Sequence, residues 1–270
     1  MYYLKPYKEM LGFSALCNYP DIFCFTTTRN GGVSTGNFSS LNGSYFSGDK
    51  TECVDSNWAR ILSYTSIEPQ LILRPYQTHD DRVLCIDESF LMLNEEEQKE
   101  ILNGVDALIT DIPKVLITVS TADCVPITLY DPIRRVGAVV HAGWRGTVKR
   151  ILAQTAQLMV ANYQSQIEDI LFCIAPSISV DSFEVGAEVV DEFEKAGFEL
   201  NDIVRLNPET QKQHIDLWKA NLQQVLEIGA LEANVFISGI CTYTRHEEFF
   251  SARRLGINSG RIITGFMIKE

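Results

Sequence analysis

Histidine is scarce in this chain, with four residues in 270, and no two of its cysteines form a C-x-x-C pair. The seven cysteines, at 17, 24, 53, 85, 124, 173 and 241, are odd in number and scattered, so they read as reduced thiols rather than a disulfide framework. Net positive charge is also missing. At a formal charge of -12 the chain lacks the surplus of Lys and Arg that neutralises phosphates, which excludes a nucleic-acid surface and makes small ligands the expected partners. No apolar run approaches the roughly 20 residues of a membrane span, so no membrane partner is expected. The first 13 residues interleave Lys5, Lys8 and Glu9 with aromatics instead of a secretory apolar stretch, and a cytoplasmic location is expected. Internal repeats, low-complexity tracts and Pro/Gly/Ser linkers are absent too, so residues 1–270 read as a single domain.

With 46% hydrophobic and 21% charged residues, such a chain can bury a substantial core. Short β-rich runs recur at 22–28, 71–76, 83–86, 107–109, 115–120, 125–130, 136–140, 170–174 and 235–238. Helical spacing appears at 53–64, 147–163 and 214–228, with a shorter stretch at 187–196. In the second of these, Val148, Ile151, Leu152, Ala156 and Leu158 form one apolar face, and Thr147 reads as the N-cap. The tight Asp131-Pro132 connection between two strand runs predicts a hairpin. The expected class is therefore α+β and layered, with mixed or antiparallel sheets rather than a doubly wound parallel one.

Reactive side chains cluster where the apolar runs end: Tyr76-Gln77-Thr78-His79-Asp80, Thr121-Ala122-Asp123-Cys124, and Val140-His141-Ala142-Gly143-Trp144-Arg145-Gly146-Thr147. A strand interior fixes the first residue beyond it, so three strand ends can converge three side chains. Cys124 precedes His141 by 17 residues, room for a strand, a turn and a second strand that returns to the same end. His79, Cys124 and His141, with a fourth position left open, match the three-ligand pattern of catalytic zinc. The same donors suit copper, and without metal Cys124 beside an imidazole would be a thiolate nucleophile. The turn after His141, with Arg145, offers backbone N–H groups and a guanidinium to an anion. Arg29 on the Gly31-Gly32 loop, followed by residues 39–42, is a further candidate for ligand contact.

These segments together resemble the YfiH-like family, also described as polyphenol oxidase or laccase-domain proteins and as purine nucleoside phosphorylases. The resemblance runs through Thr27-Thr28-Arg29-Asn30-Gly31-Gly32-Val33-Ser34, residues 39–42, Gln77-Thr78-His79, Asp106-Ala107-Leu108-Ile109-Thr110, Ala122-Asp123-Cys124 and His141-Ala142-Gly143-Trp144-Arg145-Gly146. It continues through His214-Ile215-Asp216-Leu217, Cys241-Thr242, Phe250-Ser251, Arg253-Arg254 and Gly260-Arg261, and so covers almost the whole chain. It implies an α-β-β-α layered catalytic domain with zinc on His79, Cys124 and His141. It also implies phosphorolysis of adenosine, inosine, guanosine or methylthioadenosine, with adenosine deamination as a further activity. Arg29, Asn42, Gln77 and Arg145 are then the residues expected to meet nucleoside or phosphate. Asp123 and Asp80 are candidate proton carriers or partners of a metal-bound histidine. The family's Gly-Pro appears here as Ala175-Pro176, and its Cys-Tyr as Ser182-Phe183.

Three rival readings remain at this point. A copper-dependent polyphenol oxidase of laccase type would need more imidazoles than four. A Cys-His hydrolase editing peptidoglycan precursors would work without metal. A non-catalytic purine sensor would bind a nucleoside and leave it intact.

Overall fold

The computed structural model describes residues 1–4, 8–65 and 67–270. Its strands are β1 (Tyr2–Tyr3), β2 (Met10–Gly12), β3 (Ile22–Thr27), β4 (Leu71–Leu73), β5 (Val83–Ile86), β6 (Ala107–Thr110), β7 (Val115–Thr121), β8 (Val125–Asp131) and β9 (Val136–Ala142). After these come β10 (Leu171–Ile174), β11 (Glu184–Val185), β12 (Val204–Leu206), β13 (Gln213–Ile215), β14 (Val235–Ile237) and β15 (Ile262–Ile268). The helices are α1 (Thr51–Thr65), α2 (Glu88–Leu91), α3 (Glu95–Ile101), α4 (Trp144–Val148), α5 (Ile151–Tyr163), α6 (Ala187–Lys195), α7 (Leu200–Ile203), α8 (Leu217–Glu227) and α9 (Ala252–Leu255).

Two six-stranded sheets, ordered β1-β2-β3-β15-β7-β4 and β14-β10-β8-β9-β6-β5, pack face to face. Each mixes parallel and antiparallel pairs, the short turn between β8 and β9 giving an antiparallel one. Strand alternation decides which side chains enter which layer. On β15, Phe266 and Ile268 meet Leu108, Tyr130 and Val139 of the other sheet. The intervening Ile263 and Met267 turn outward, where α1 covers them with Val54, Trp58 and Ile61. On the far side, Leu152, Ala156 and Met159 of α5 cover Ile127, Leu129, Ala138 and Val140. Burying each such side chain contributes about 1.5–3 kcal/mol, so the layer order α-β-β-α is the one that leaves no apolar face in water. No helix among the described residues is long and apolar enough to cross a membrane.

The β8–β9 hairpin forms where Asp131-Pro132 predicts it. Asp131 Oδ1 accepts the N–H groups of Ile133 at 2.8 Å and Arg134 at 3.0 Å, and Arg135 takes the left-handed conformation at φ 53°. Two helix readings are corrected. The stretch 147–163 is two helices, broken because Arg150 sits at φ 63°, and Thr147 lies inside α4 while Gly143 holds the N-cap position. The stretch 214–228 begins as strand: His214 pairs with Glu184 and Arg205, and the helix starts after Asp216, whose carboxylate accepts the Lys219 N–H at 3.0 Å. β15, at the centre of its sheet, is an element absent from the strand runs read off the sequence.

Gly137 on β9 faces the Phe266 ring, and a Cβ there would lie 2.1 Å from ring carbon Cε1. Gly137→Ala is therefore expected to force apart the two sheets and cost about 1–3 kcal/mol, read as a lower midpoint in urea unfolding with an unchanged slope.

Candidate metal centre

Antiparallel pairing of β8 with β9 sets Val125 opposite Ala142 and Pro126 opposite His141. Cys124 immediately precedes β8, so the hairpin register alone delivers thiol and imidazole to one edge of the inter-sheet layer. The third donor arrives on a loop. His79 lies between β4 and β5, in the left-handed region at φ 63°, and its ring meets His141 edge to face with centroids 4.7 Å apart. The ligand atoms of His79, Cys124 and His141 all lie within 4.8 Å of one another.

Asp106, just before β6, is what holds the two histidines together. Its carboxylate is fully buried and meets His141 Nδ1 at 2.6 Å. It also accepts the backbone N–H of His79 at 3.0 Å, Asp80 at 3.0 Å and Thr78 at 3.2 Å. A positive φ in a non-glycine residue is costly, and these N–H bonds are what the surrounding structure supplies to fix it. With Nδ1 engaged, His141 presents Nε2 to the cradle. Burial works against the Asp106 charge, but His141 and the N–H groups of Asp80 and Thr78 outweigh it and keep its pKa below the ordinary carboxylate value.

Electrostatics favour a thiolate. Burial raises the Cys124 pKa, yet the His141 and His79 imidazoles overcome it and bring it down to about 6. For His141, burial opposes the charge, and Cys124 and Asp106 together raise its pKa to about 9. Arg261 adds a third influence: burial lowers its pKa, and the charges of Cys124 and Asp123 partly restore it. Its guanidinium is held by the carbonyls of Ser259 at 2.6 Å and Ile257 at 2.8 Å.

The residues present fit a metal ion. Two imidazoles and a thiolate are a donor set for zinc or copper. Space is kept for them at Gly143, where a Cβ would lie 3.2 Å from Cys124 Sγ and 3.3 Å from His79 Cδ2. A side chain at that position would press into the cradle.

The other residues expected at the site fall into different places. Arg145, four residues after His141, is exposed, stacked over Trp144 at 4.3 Å, and forms no ion pair or hydrogen bond among the described residues. α4, which carries it, is only five residues long. Asp123, at φ 85°, accepts Thr242 Oγ1 at 2.7 Å, Ser251 Oγ at 2.9 Å and the Arg253 N–H at 2.7 Å. Burial raises its pKa despite those donors, and it fastens residues 242–253 beside Cys124. Asp80 lies on the surface in an ion pair with Lys149.

Three candidates are occupied by the chain itself. Asn42 is buried, donating to Ser44 O, Ser47 Oγ and Asp49 Oδ2 and accepting from the N–H groups of Ser44 and Arg261. Gln77 exchanges hydrogen bonds with the Ser120 backbone at 2.8 and 3.0 Å. Arg29 donates to the carbonyls of Ser39 and His246 and stacks on Phe250. Asp106 and Arg261 are the residues that site reasoning passed over. The signal for Asp106 was its place directly before an apolar run, the same strand-end position that singled out the ligands.

With this geometry in view, the comparisons with known proteins agree. The chain belongs to the YfiH-like family, whose model, described as multi-copper polyphenol oxidoreductase laccase, matches residues 23–269. It is 46% identical over 263 residues, 97% of each chain, to a Bacteroides thetaiotaomicron protein named purine nucleoside phosphorylase. It is 43% identical over 245 residues, 91% of this chain and 93% of the other, to adenosine deaminase RL5 from an unknown prokaryotic organism. Among solved structures it resembles Bacillus licheniformis YfiH, with a TM-score of 0.88, 25% identity and 98% of both chains covered. YlmD from Geobacillus stearothermophilus gives a TM-score of 0.86 at 26% identity, over 97% of this chain and 99% of that one.

Asp106→Asn puts an amide NH2 in place of one of two carboxylate oxygens, Oδ1 facing the His79 N–H and His141 Nδ1, and Oδ2 facing the Thr78 and Asp80 N–H groups. It is expected to weaken metal binding by roughly 10–100-fold, measured by competition with a chromophoric chelator. Unchanged affinity would show that the carboxylate orients neither histidine.

Proposed function

We propose that this chain is a zinc-dependent purine nucleoside phosphorylase. The observation that carries the reading is the His79, Cys124 and His141 cradle, followed four residues after His141 by an Arg145 with no ion pair among the described residues, in a chain 46% identical along nearly its whole length to a protein of that name. Zinc is favoured over a multicopper set because the remaining histidines are elsewhere. His214 Nδ1 is bound to Val180 O, and His246 lies beside Glu247 at the surface. A trinuclear cluster with a separate copper site needs many more imidazoles.

Zinc held by these three side chains would supply a Lewis acid at the open side of the cradle. The chain's own residues do the rest. Arg145, free of any carboxylate, offers a planar fork of donors to phosphate. Phosphorolysis joins a phosphate oxygen to ribose C1′ as the bond from C1′ to the purine nitrogen breaks, so holding the anion in line with that bond is a large part of the barrier reduction. Asp106 keeps His141 in one tautomer, and Asp123 keeps residues 242–253 closed over the thiol side. Asp123 is read here as a positioning group, since three donors already claim its carboxylate.

Adenosine incubated with metal-quantified protein is expected to give adenine and ribose 1-phosphate only when phosphate is present, and neither with Cys124→Ala. Arg145→Ala is expected to raise the KM for phosphate by roughly tenfold or more while changing kcat less. The likeness to adenosine deaminase RL5 sets the second reading: inosine formed without phosphate would make deamination the main activity. Adenosine, inosine and methylthioadenosine all left intact would end the purine assignment.

A further inference from the structure

Arg74, directly after β4, forms no ion pair or hydrogen bond among the described residues. Its guanidinium stacks over Trp58 at 4.2 Å and lies 5.6 Å from the Tyr45 ring. Its Nε is buried without a hydrogen-bond partner, and among the described residues the side chain forms no ion pair. Asp55 is near enough for its field to reach Arg74, but it accepts the Tyr45 hydroxyl at 2.8 Å. A guanidinium stays protonated even where burial lowers its pKa, as here. The side chain is half-buried, so a guanidinium held by two aromatic faces and no carboxylate keeps donors free for a ligand anion.

A cleft lies at that point. Arg74 lines a cavity of about 1140 Å³ between the Tyr45-Phe46 turn, β4 and α3. Lys99, the other cation lining it, lies 3.9 Å from Glu95 with both side chains exposed, and Glu100 lines the cleft too, which leaves Arg74 as its cation without a carboxylate partner among the described residues. Two aromatic rings line the same cleft and stand in solvent: Phe46 is 53% and Tyr76 47% exposed, and they meet edge to face with centroids 5.0 Å apart. Such a pair offers a ready surface to a planar ring. The volume is that of a pocket for a ligand larger than a single ring, so there is room for a sugar between ring and anion.

We infer that this cleft is a second ligand site that takes a nucleoside monophosphate, with the phosphate on Arg74 and the base against Phe46 and Tyr76. None of the three metal-ligating side chains lines it, so the inference does not rest on the phosphorylase reading. One stretch of chain joins the two places. Arg74 stands five residues before His79, and between them Tyr76 is bridged to Asn103 and Gln77 is fastened to Ser120.

The test is calorimetric titration with AMP in a Cys124→Ala background, where the metal centre is disabled. Saturable AMP binding is expected there, weakened roughly tenfold or more when Arg74→Gln is added, since a charge-assisted phosphate contact is lost. Phe46→Ser, at an exposed position that leaves the core untouched, is expected to weaken it by a similar factor through lost stacking. Binding indifferent to both substitutions, or AMP binding in the unmodified protein that vanishes with Cys124→Ala alone, would overturn the site.

Discussion

In the antiparallel register of β8 against β9, Pro126 faces His141 and the Asp131 turn closes the other end. Side chains alternate along a strand, so His141 shares its face with Val139, which packs between the sheets, and not with Val140, which packs under α5. A one-residue slip would send His141 to the helix side and leave Cys124 without a partner. The site therefore inherits its geometry from packing: Phe266 against Gly137, and Val139 against the facing sheet, hold the register that holds the ligands.

On this scaffold a small set of charges, from the buried Asp106 and His141 to the exposed His79, is balanced locally, despite a chain whose formal charge is -12. Asp106 engages His141 Nδ1, the His141 and His79 rings lower the pKa of the Cys124 thiol, and Arg261 lies within reach of the same field. Asp123 sits beside this group but gives its oxygens to Thr242, Ser251 and Arg253. The two carboxylates thus divide the work, Asp106 orienting the donors and Asp123 anchoring the chain that borders them. Among the described residues Arg145 is exposed and has no ion pair.

Much of this was legible in the sequence, for identifiable reasons. His79, Cys124 and His141 stood out because each lies at the end of an apolar run, and strand ends converge. The hairpin was legible because Asp131-Pro132 leaves few other ways to join two strands. Asn42, Gln77 and Arg29 read as ligand contacts chiefly through the family resemblance, which does not show that hydrogen bonds to Asp49, Ser120 and the Ser39 carbonyl already engage them. The break between α4 and α5 was hidden for a different reason: Arg150 takes a left-handed conformation with no glycine to announce it. β15 went unread although Ile262-Ile263-Thr264-Gly265-Phe266-Met267-Ile268 is mostly apolar, as suits a strand flanked by β3 and β7 with one face on the other sheet and the other face under α1.

The central claim is that one metal ion sits on two imidazoles and one thiolate. X-ray absorption at the zinc edge, on protein whose metal content has been quantified, tests it most directly. The account predicts one zinc per chain with a single sulfur neighbour at about 2.3 Å and nitrogen neighbours near 2.0 Å, the sulfur disappearing in Cys124→Ala. A coordination shell without sulfur, or several copper ions per chain in place of one zinc, would contradict it.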